Sequence, residues 1–253
     1  MKLVLLEGTA GSGKSLLVSR LGEYYARCKA DYAILNLDPG AKELPYRCDV
    51  DIRNVVQTES VMRDYQLGPN GAVVMASDII VSELDWLHAE IDSISPEYLI
   101  VDTPGQVELF AYRISGPMII QSIAADEKVG IFLYDGSLIT SPVNFVSVTL
   151  LASSVRLRLG IPMIGAVTKI DIIQERLEDI QEWSSDADVL QEAIARTVDG
   201  ESYSIATGIL RGLDEGSLSQ GLIPVSGLTG EGMTSLESAL SRITDLGEEA
   251  GDG

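Results

Sequence analysis

The sequence predicts an α/β fold of three layers, in which helices cover both faces of a mostly parallel central sheet. Short apolar runs of strand length alternate with longer segments of helical periodicity along the chain. The first apolar run, residues 2–6, leads into a glycine-rich segment, residues 8–15, and a helical segment follows at residues 16–25. Strand, glycine-rich turn and helix in this order are typical of α/β proteins that bind phosphate groups at one edge of the sheet.

The glycine-rich segment reads Gly-Thr-Ala-Gly-Ser-Gly-Lys-Ser and fits the pattern G-x-x-x-x-G-K-[ST]. Such a loop wraps the β-phosphate with main-chain N–H groups, and the positive end of the following helix faces the same phosphates. Lys14 would reach the β and γ oxygens, and Ser15 would ligate Mg²⁺. A chance glycine-rich turn is the alternative, but it does not explain the flanking strand and helix. The chain is therefore predicted to have a P-loop NTPase fold, with the nucleotide held by Gly8, Gly11, Ser12, Gly13, Lys14, Ser15 and Leu16.

Length and composition predict one large soluble domain. The chain has 253 residues, of which 45% are hydrophobic, and no apolar stretch approaches the ~18 residues that span a bilayer. We expect a single domain over residues 1–246, with a helical insertion at 172–222 and a flexible acidic tail at 247–253. The first strand begins directly after Met1, so we expect no signal peptide. Cys28 and Cys48 lie far apart in the sequence, which fits a reducing cytoplasm rather than a disulfide framework.

The charge is strongly acidic, with 38 acidic and 18 basic residues and a formal net charge of −20. Such a surface repels nucleic acids and anionic membranes, so neither is an expected partner. Scarce lysine beside abundant carboxylates is consistent with a salt-adapted proteome or with an ordinary acidic cytosolic protein, and both stay open. His88 is the single histidine, which excludes a histidine dyad or a His-rich metal site.

Residues 33–37 predict a second buried strand, and Asp38 follows at its carboxyl end. In this place a carboxylate would hold a magnesium-bound water or orient the attacking water. The alternative is a turn residue, because Asp often precedes proline in turns and Pro39 comes next.

The next segment predicts two helices joined by a turn. Residues 54–65 have a helical pattern, and Gly68, Pro69 and Asn70 form a turn by their local chemistry. After the turn, one helical face is predicted to carry Val73, Ser77, Ile80, Leu84, Leu87 and Ile91. Taken alone, the Gly-Pro-Asn turn is only a connection between helices.

Residues 98–102 predict another buried strand, which ends in Asp102. In P-loop enzymes an Asp here polarises the magnesium coordination shell. Gly105 can donate its N–H to the γ-phosphate and let the segment move when that phosphate leaves. Gln106 and Glu108 follow, close to where an attacking water would lie.

Residues 130–135 and 163–167 predict two more strands, separated by a long helix at 141–159. The second of these strands runs into Thr168, Lys169 and Asp171. An Asp here can accept both N1–H and the exocyclic amine of guanine, and the Lys169 stem can cover the base. The alternative is that Asp171 only caps a helix.

The last strand and loop are predicted at residues 223–228. Ser226 and Gly227 can contact the guanine O6 through the backbone, and Leu228 is also expected to bind the nucleotide. The apolar stripe of a final helix follows in Met233, Leu236, Leu240 and Ile243.

Together these motifs resemble the GPN-loop GTPases, a family in the signal-recognition and MinD-like branch of P-loop NTPases, and the short tail resembles its compact archaeal members. The resemblance spans nearly the whole chain. It rests on residues 8–15, 37–39, 49–53, 68–70, 102–110, 168–171 and 224–226. Gly40 and Thr168 depart from the family pattern, which tends to have Ala and Asn there.

The resemblance implies a Mg²⁺-dependent GTPase that converts GTP to GDP as a homodimer. Gly68, Pro69 and Asn70 would enter the partner's nucleotide site, and Asp38, Gln106 and Glu108 would surround the attacking water. It also implies metal contacts from Ser15, Asp38 and Asp102. A protein client would be regulated by the nucleotide state, and RNA polymerase assembly is suggested by family analogy only.

Three alternatives stay open. A metal-delivery GTPase of the same branch would share most motifs, but it should carry a Cys-Pro-His or His-rich site, which this sequence lacks. A small-molecule kinase would need an acceptor pocket and lid arginines. A nucleotide-gated binding or assembly module would hydrolyse GTP only to reset its shape.

Overall fold

A seven-stranded sheet forms the centre of the computed structural model, which describes residues 1–214 and 221–251. Every paired strand in it is parallel, and the spatial order is β3-β2-β4-β1-β5-β6-β7. The strands are β1 (Lys2–Gly8), β2 (Tyr32–Asn36), β3 (Val50–Asp51), β4 (Tyr98–Asp102), β5 (Glu127–Asp135), β6 (Met163–Thr168) and β7 (Ile223–Pro224).

Helices cover both faces of this sheet. Their bounds in the described residues are α1 (Lys14–Cys28), α2 (Thr58–Tyr65), α3 (Pro69–Ser82), α4 (Leu84–Ile94), α5 (Val107–Phe110), α6 (Ser115–Ser122), α7 (Pro142–Leu159), α8 (Gln174–Ser185), α9 (Ala187–Thr197), α10 (Gly200–Asp214) and α11 (Met233–Gly251). Single 3₁₀ turns occur at Ile52–Asn54 and Ile170–Ile172. Within these residues, no helix is both long and apolar enough to cross a bilayer.

Strand β1 explains why the chain forms three layers. Leu3 and Leu5 lie in a core with residues of α2–α10, whereas Val4 and Leu6 lie in a second core with α1 and α11. Strand side chains alternate between faces, so a run that is apolar throughout must be covered on both sides. The predicted three-layer fold with a parallel sheet is confirmed.

The strand order places β1 at a topological switch point. From β1 the chain first builds the β4-β2-β3 side of the sheet and then the β5-β6-β7 side. A crevice opens at the carboxyl ends of strands where the order reverses in this way, and ligands of open α/β sheets bind there. The loop after β1 therefore lies at the position where the fold itself provides a cleft.

Several predicted boundaries need correction. Helix α2 begins at Thr58 rather than at residue 54, because Asp51 caps a separate 3₁₀ turn. The single helical face predicted from 73 to 91 belongs to two helices that meet at Glu83, whose N–H bonds to Ile80 O. The last strand covers only Ile223–Pro224, and the rest of 223–228 is loop.

The segment before the last strand, which was expected to be a helical insertion at 172–222, contains α8, α9 and α10. Residues 215–220 of that segment lie outside the described residues. Helix α11 continues to Gly251, so its backbone includes most of the segment expected to be a flexible tail, and residues 252–253 lie outside the description.

Candidate functional site

The loop between β1 and α1 has the backbone geometry of a phosphate cradle. Gly11 and Gly13 have φ of 78° and 94°, a left-handed conformation that side chains disfavour. A Cβ at either glycine would meet no protein atom within 4 Å, so the backbone faces open space there. Gly13 is also the N-cap of α1, whose first N–H groups point at the same space.

Lys14 lies in the mouth of this loop and is only 5% exposed. Its Nζ donates to Gly8 O at 2.7 Å, Thr9 O at 3.1 Å and Gly105 O at 3.5 Å. Burial lowers the pKa of the Lys14 ammonium, and the negative charge of Glu7 opposes that shift most strongly. The ammonium thus joins the glycine-rich loop to the segment after β4.

Asp102 ends β4 beside β1, and its carboxylate is 1% exposed. Tyr46 Oη donates to Asp102 Oδ2 at 2.7 Å, whereas Oδ1 has no hydrogen-bond partner among the described residues. Burial raises the pKa of Asp102, and the nearby hydroxyls of Ser15 and Tyr46 oppose that shift.

The oxygens of Ser15 and Asp102 fit a magnesium ion. A hydroxyl and a carboxylate, one of whose buried oxygens has no hydrogen-bond partner in the described structure, are hard donors of the kind that Mg²⁺ prefers, and phosphate and water oxygens would complete its shell. The described residues contain no cluster of three His, Cys, Asp or Glu side chains that would bind a metal by itself. An ion here would therefore depend on the nucleotide for further ligands.

Asp38 follows β2 and turns toward the same space. Its Oδ1 accepts the N–H of Gly40 at 2.8 Å. Burial raises the pKa of the Asp38 carboxyl, and contacts with the Gly40 amide, Lys14 and the Gly105 amide oppose the shift. Lys14, Asp38, Asp102 and Gly105 are thus brought together at the carboxyl edge of β1, β2 and β4.

Gln106 and Glu108 lie just beyond this group. Gln106 is half-buried and precedes α5, whereas Glu108 is exposed in its first turn. The negative charge of Glu108 lies close enough to the Lys14 ammonium to favour its charged form slightly.

A second group of predicted residues lies at the ends of β5 and β6. Thr168 Oγ1 donates to Ser12 O at 2.9 Å, so the segment predicted to read the base is bonded to the glycine-rich loop. Lys169 has a left-handed backbone (φ 61°), and its Nζ donates to Asp135 Oδ2 at 2.7 Å. Asp171 Oδ1 accepts the Ser226 hydroxyl at 2.6 Å.

The loop after β7 departs in one detail from the expectation. The Ser226 N–H donates to Glu231 O at 3.0 Å, so it is not free to contact a guanine O6 in this conformation. Gly227 and Leu228 offer their carbonyls to the Arg20 guanidinium, each at 2.8 Å. A Cβ on Gly227 would approach Leu16 Cγ to 3.0 Å, so the loop packs directly on α1.

The Gly-Pro-Asn segment is separate from these groups. Gly68 is the N-cap of α3 and Pro69 its first residue, a position that suits proline because no N–H is needed there. Gly68, Pro69 and Asn70 are all exposed. Within the described chain, no side-chain hydrogen bond ties Asn70 to the glycine-rich loop.

Several residues of the candidate site were not predicted from the sequence. Glu7 is fully buried beside the cradle, and neither carboxylate oxygen has a hydrogen-bond partner in the described structure. Glu7 could have been found from its position, because it is a charged residue at the end of an apolar run. Polar residues inside or at the end of predicted strands were a similar signal for Asn36 and Asp135. Nothing local distinguished Arg20 or Tyr46.

A parallel sheet with a glycine-rich loop at its switch point, a lysine in the loop and an aspartate on the adjacent strand defines a P-loop NTPase. Comparison with known proteins identifies the family. A family model described as "Conserved hypothetical ATP binding protein" matches residues 6–246. GPN-loop GTPase 1 of Schizosaccharomyces pombe is 30% identical over 260 residues, which cover 97% of this chain and 70% of the relative. The chain belongs to the GPN-loop GTPase family.

Two further comparisons give the extent of the similarity. GPN-loop GTPase 1 of Dictyostelium discoideum is 35% identical over 194 residues, or 76% of this chain, and the match spans about half (48%) of that relative's length. The crystal structure of a GTPase in apo form from Pyrococcus abyssi superposes with a TM-score of 0.85 at 29% identity, covering 95% of this chain and 96% of that one.

Proposed function

We propose that the protein binds GTP with Mg²⁺ and hydrolyses it to GDP and phosphate. One observation carries this proposal: Thr168 Oγ1 donates to Ser12 O, so the segment that leads to Asp171 is bonded directly to the glycine-rich loop. The GTPase names of the Dictyostelium and Schizosaccharomyces relatives and of the Pyrococcus structure support it.

The base assignment depends on Asp171. One of its oxygens accepts the Ser226 hydroxyl, which fixes the carboxylate so that it can still accept two N–H groups of guanine. Adenine offers no matching pair of donors, and a buried site with unmatched polar groups discriminates strongly against the wrong ligand. This chemistry favours GTP although the family model's description mentions ATP.

Hydrolysis needs charge stabilisation and a positioned water. The Lys14 ammonium and the N–H groups at the start of α1 would neutralise charge that develops on the γ-phosphate. Ser15 and Asp102 would hold a Mg²⁺ ion, Asp38 would hold a water bound to that ion, and the ion would supply further charge neutralisation. Asp38, Gln106 and Glu108 are the groups that would orient the attacking water.

Base preference provides the direct test. Wild-type protein should hydrolyse GTP with Mg²⁺ at least 100-fold more efficiently than ATP or xanthosine triphosphate (XTP), about the discrimination that two unmatched hydrogen bonds give. Asp171→Asn should lose GTP affinity and gain XTP affinity, because the amide matches the extra carbonyl of xanthine. Asp179→Asn, in the helical insertion, is the matched control. Unchanged base preference in Asp171→Asn would refute the guanine assignment. GTP consumption that requires an acceptor molecule, with phosphate transferred to that acceptor, would indicate a kinase.

We also propose that the active form is a homodimer in which Gly68, Pro69 and Asn70 complete the partner's site. Their exposure at the start of α3 supports this arrangement. Within the described residues, Asn70 also makes no side-chain hydrogen bond to the glycine-rich loop of its own subunit. Asn70 and the Pro69 backbone would then contact the γ-phosphate or the attacking water from the second subunit.

The nucleotide state would control binding of a protein client, in an assembly or chaperone-like role. The contact between Lys14 Nζ and Gly105 O supports a switch, because a γ-phosphate competes for both the ammonium and the Gly105 amide. Pull-downs with GTP-locked and GDP-bound protein should recover a partner that prefers one state. Equal recovery in both states would contradict the switch.

A further inference from the structure

The segment Asp49 to Arg53 resembles the family pattern but has no role in the site described above. In the structure Asp51 ends the edge strand β3 and caps the next 3₁₀ turn by accepting the Arg53 N–H at 3.0 Å. The strand register places Asp51 near the site, because Asn36 on β2 pairs with Asp51 on β3 and with Asp102 on β4. The segment therefore lies one strand away from the carboxylates of the nucleotide site.

The Arg53 guanidinium makes contacts in two directions. Its Nε bonds to both Asp51 oxygens at 3.0 Å, and Nη2 bonds to Asp51 Oδ2 at 2.6 Å. Its Nη1 donates to Ala41 O at 2.9 Å, and a longer contact reaches Lys42 O at 3.4 Å. The two side chains are largely buried, at 24% exposure for Arg53 and 17% for Asp51. The guanidinium thus joins the edge strand to the backbone that follows Asp38.

A second path leads from Asp51 to Asp38 itself. Asp51 Oδ1 accepts from Asn36 Nδ2 at 3.0 Å, and Asn36 is fully buried. Asn36 Oδ1 accepts the Asp38 N–H at 3.0 Å, and its amide nitrogen donates to Asp38 O at 3.2 Å. Asp38 is therefore fixed from the strand side through Asn36, while the turn after it is fixed through Ala41.

We propose that Arg53 is a positioning residue for hydrolysis, which holds the turn from Asp38 to Lys42 so that the Asp38 carboxylate keeps its place beside Lys14. This inference rests on the proposed function, because it assumes that Asp38 acts at the phosphate end of the site. The role needs a guanidinium rather than a charge alone. A planar fork can bind a carboxylate along one edge and a carbonyl with its other nitrogen, whereas a lysine ammonium cannot span both.

The competing interpretation is that Arg53 and Asp51 form an ion pair that only stabilises the sheet edge. The two interpretations make different predictions for the mobility of the Asp38–Lys42 segment and for the rate of GTP hydrolysis. If Arg53 positions the turn, its loss frees the backbone at Lys42 and slows hydrolysis while GTP binding is retained. If the pair is only stabilising, thermal stability falls and the rate constant for hydrolysis stays the same.

Three substitutions separate these outcomes. Arg53→Gln removes the fork, and Arg53→Lys retains the charge without the fork. Arg196→Gln removes an exposed arginine that pairs with Glu192 on α9 and serves as the control. For each variant, the measurements are kcat and KM for GTP and the dissociation constant of GDP. The rate of trypsin cleavage after Lys42, whose side chain is 84% exposed, is measured as well.

The proposal predicts that kcat falls about 10- to 100-fold in both Arg53 variants, the loss expected when a reacting group is misplaced by about 1 Å. KM and GDP affinity should change by less than about threefold, and trypsin should cleave after Lys42 at least about tenfold faster than in wild type. The control should match wild type in all measurements.

Two results would overturn the proposal. One is faster cleavage after Lys42 with wild-type kcat, which would show that the turn can be released without affecting hydrolysis. The other is full recovery of kcat in Arg53→Lys, which would show that charge suffices. Asp38→Asn tests the underlying assignment separately: wild-type kcat in that variant would contradict the role of Asp38 in the proposed function, whatever the Arg53 variants do.

Discussion

The buried carboxyl of Glu7 should make the stability of the nucleotide-free protein depend on pH. Glu7 is fully buried, and burial raises the pKa of its carboxyl from 4.5 to about 8, against the attraction of Lys14. A carboxyl with a higher pKa in the folded chain than in the unfolded chain favours folding most below its unfolded pKa. That contribution is lost as the pH rises through the folded pKa.

The size of the effect follows from these two pKa values. With 4.5 for the unfolded chain and about 8 for the folded chain, the free energy of unfolding should fall by about 3–4 kcal/mol between about pH 5 and pH 8 because of Glu7 alone. Glu7→Gln keeps the shape of the side chain and removes its ionisation. The variant should therefore be more stable than wild type near pH 8, and the difference should largely disappear near pH 5.

Chemical denaturation of nucleotide-free protein at several pH values measures this difference directly. Glu90→Gln, an exposed position on α4, is the matched control and should keep the wild-type pH profile. If the profiles of wild type and Glu7→Gln run parallel between about pH 5 and pH 8, Glu7 does not change its ionisation in that interval and the reasoning fails.

Two further predictions concern the partner's loop and the magnesium side of the site. Asn70→Ala should bind GTP normally but lose turnover about tenfold or more. Lys14→Ala has a defective cradle but keeps Asn70, so mixing the two variants should restore activity through the one complete site of a mixed dimer. Wild-type turnover in Asn70→Ala, or no restoration on mixing, would contradict a role in trans. Tyr46→Phe removes the donor to Asp102 and should lower the free energy of unfolding by about 1–2 kcal/mol in chemical denaturation. The exposed Tyr65→Phe is its control, and equal stability of the two variants would show that this hydrogen bond contributes nothing.

The sequence was sufficient for the parts of the site that a short segment carries. Residues 8–15 contain the whole candidate cradle. Asp102 ends one recognisable apolar strand, and Asp171 follows another. Their chemistry depends on neighbours within a few residues, and the parallel sheet brings the strand ends to one edge without further information. The family resemblance was confirmed by comparison for the same reason, since the motifs are local and occur in a fixed order.

Residues that act across the sheet could not be predicted in this way. Tyr46 meets Asp102 from 56 positions away, and Thr168 meets Ser12 from 156 positions away. Such pairs depend on strand order and register, which periodicity does not determine. The break at Glu83 was missed because no glycine or proline marks it and the apolar stripe continues from α3 into α4.

Helix α1 begins at the glycine-rich loop, and through Arg20 it also holds the loop after β7. The helix starts at the cradle, and a few residues further on Arg20 binds the two carbonyls of the loop after β7, while Thr168 binds the cradle from the β6 side. If the guanine lies beside Asp171 and the β-phosphate in the cradle, as proposed, these contacts set the spacing between the two before a nucleotide binds. The proposed site would then select a ligand by its length as well as by its base. GMP, which shares the guanine but lacks the β-phosphate, would not reach both parts of the site.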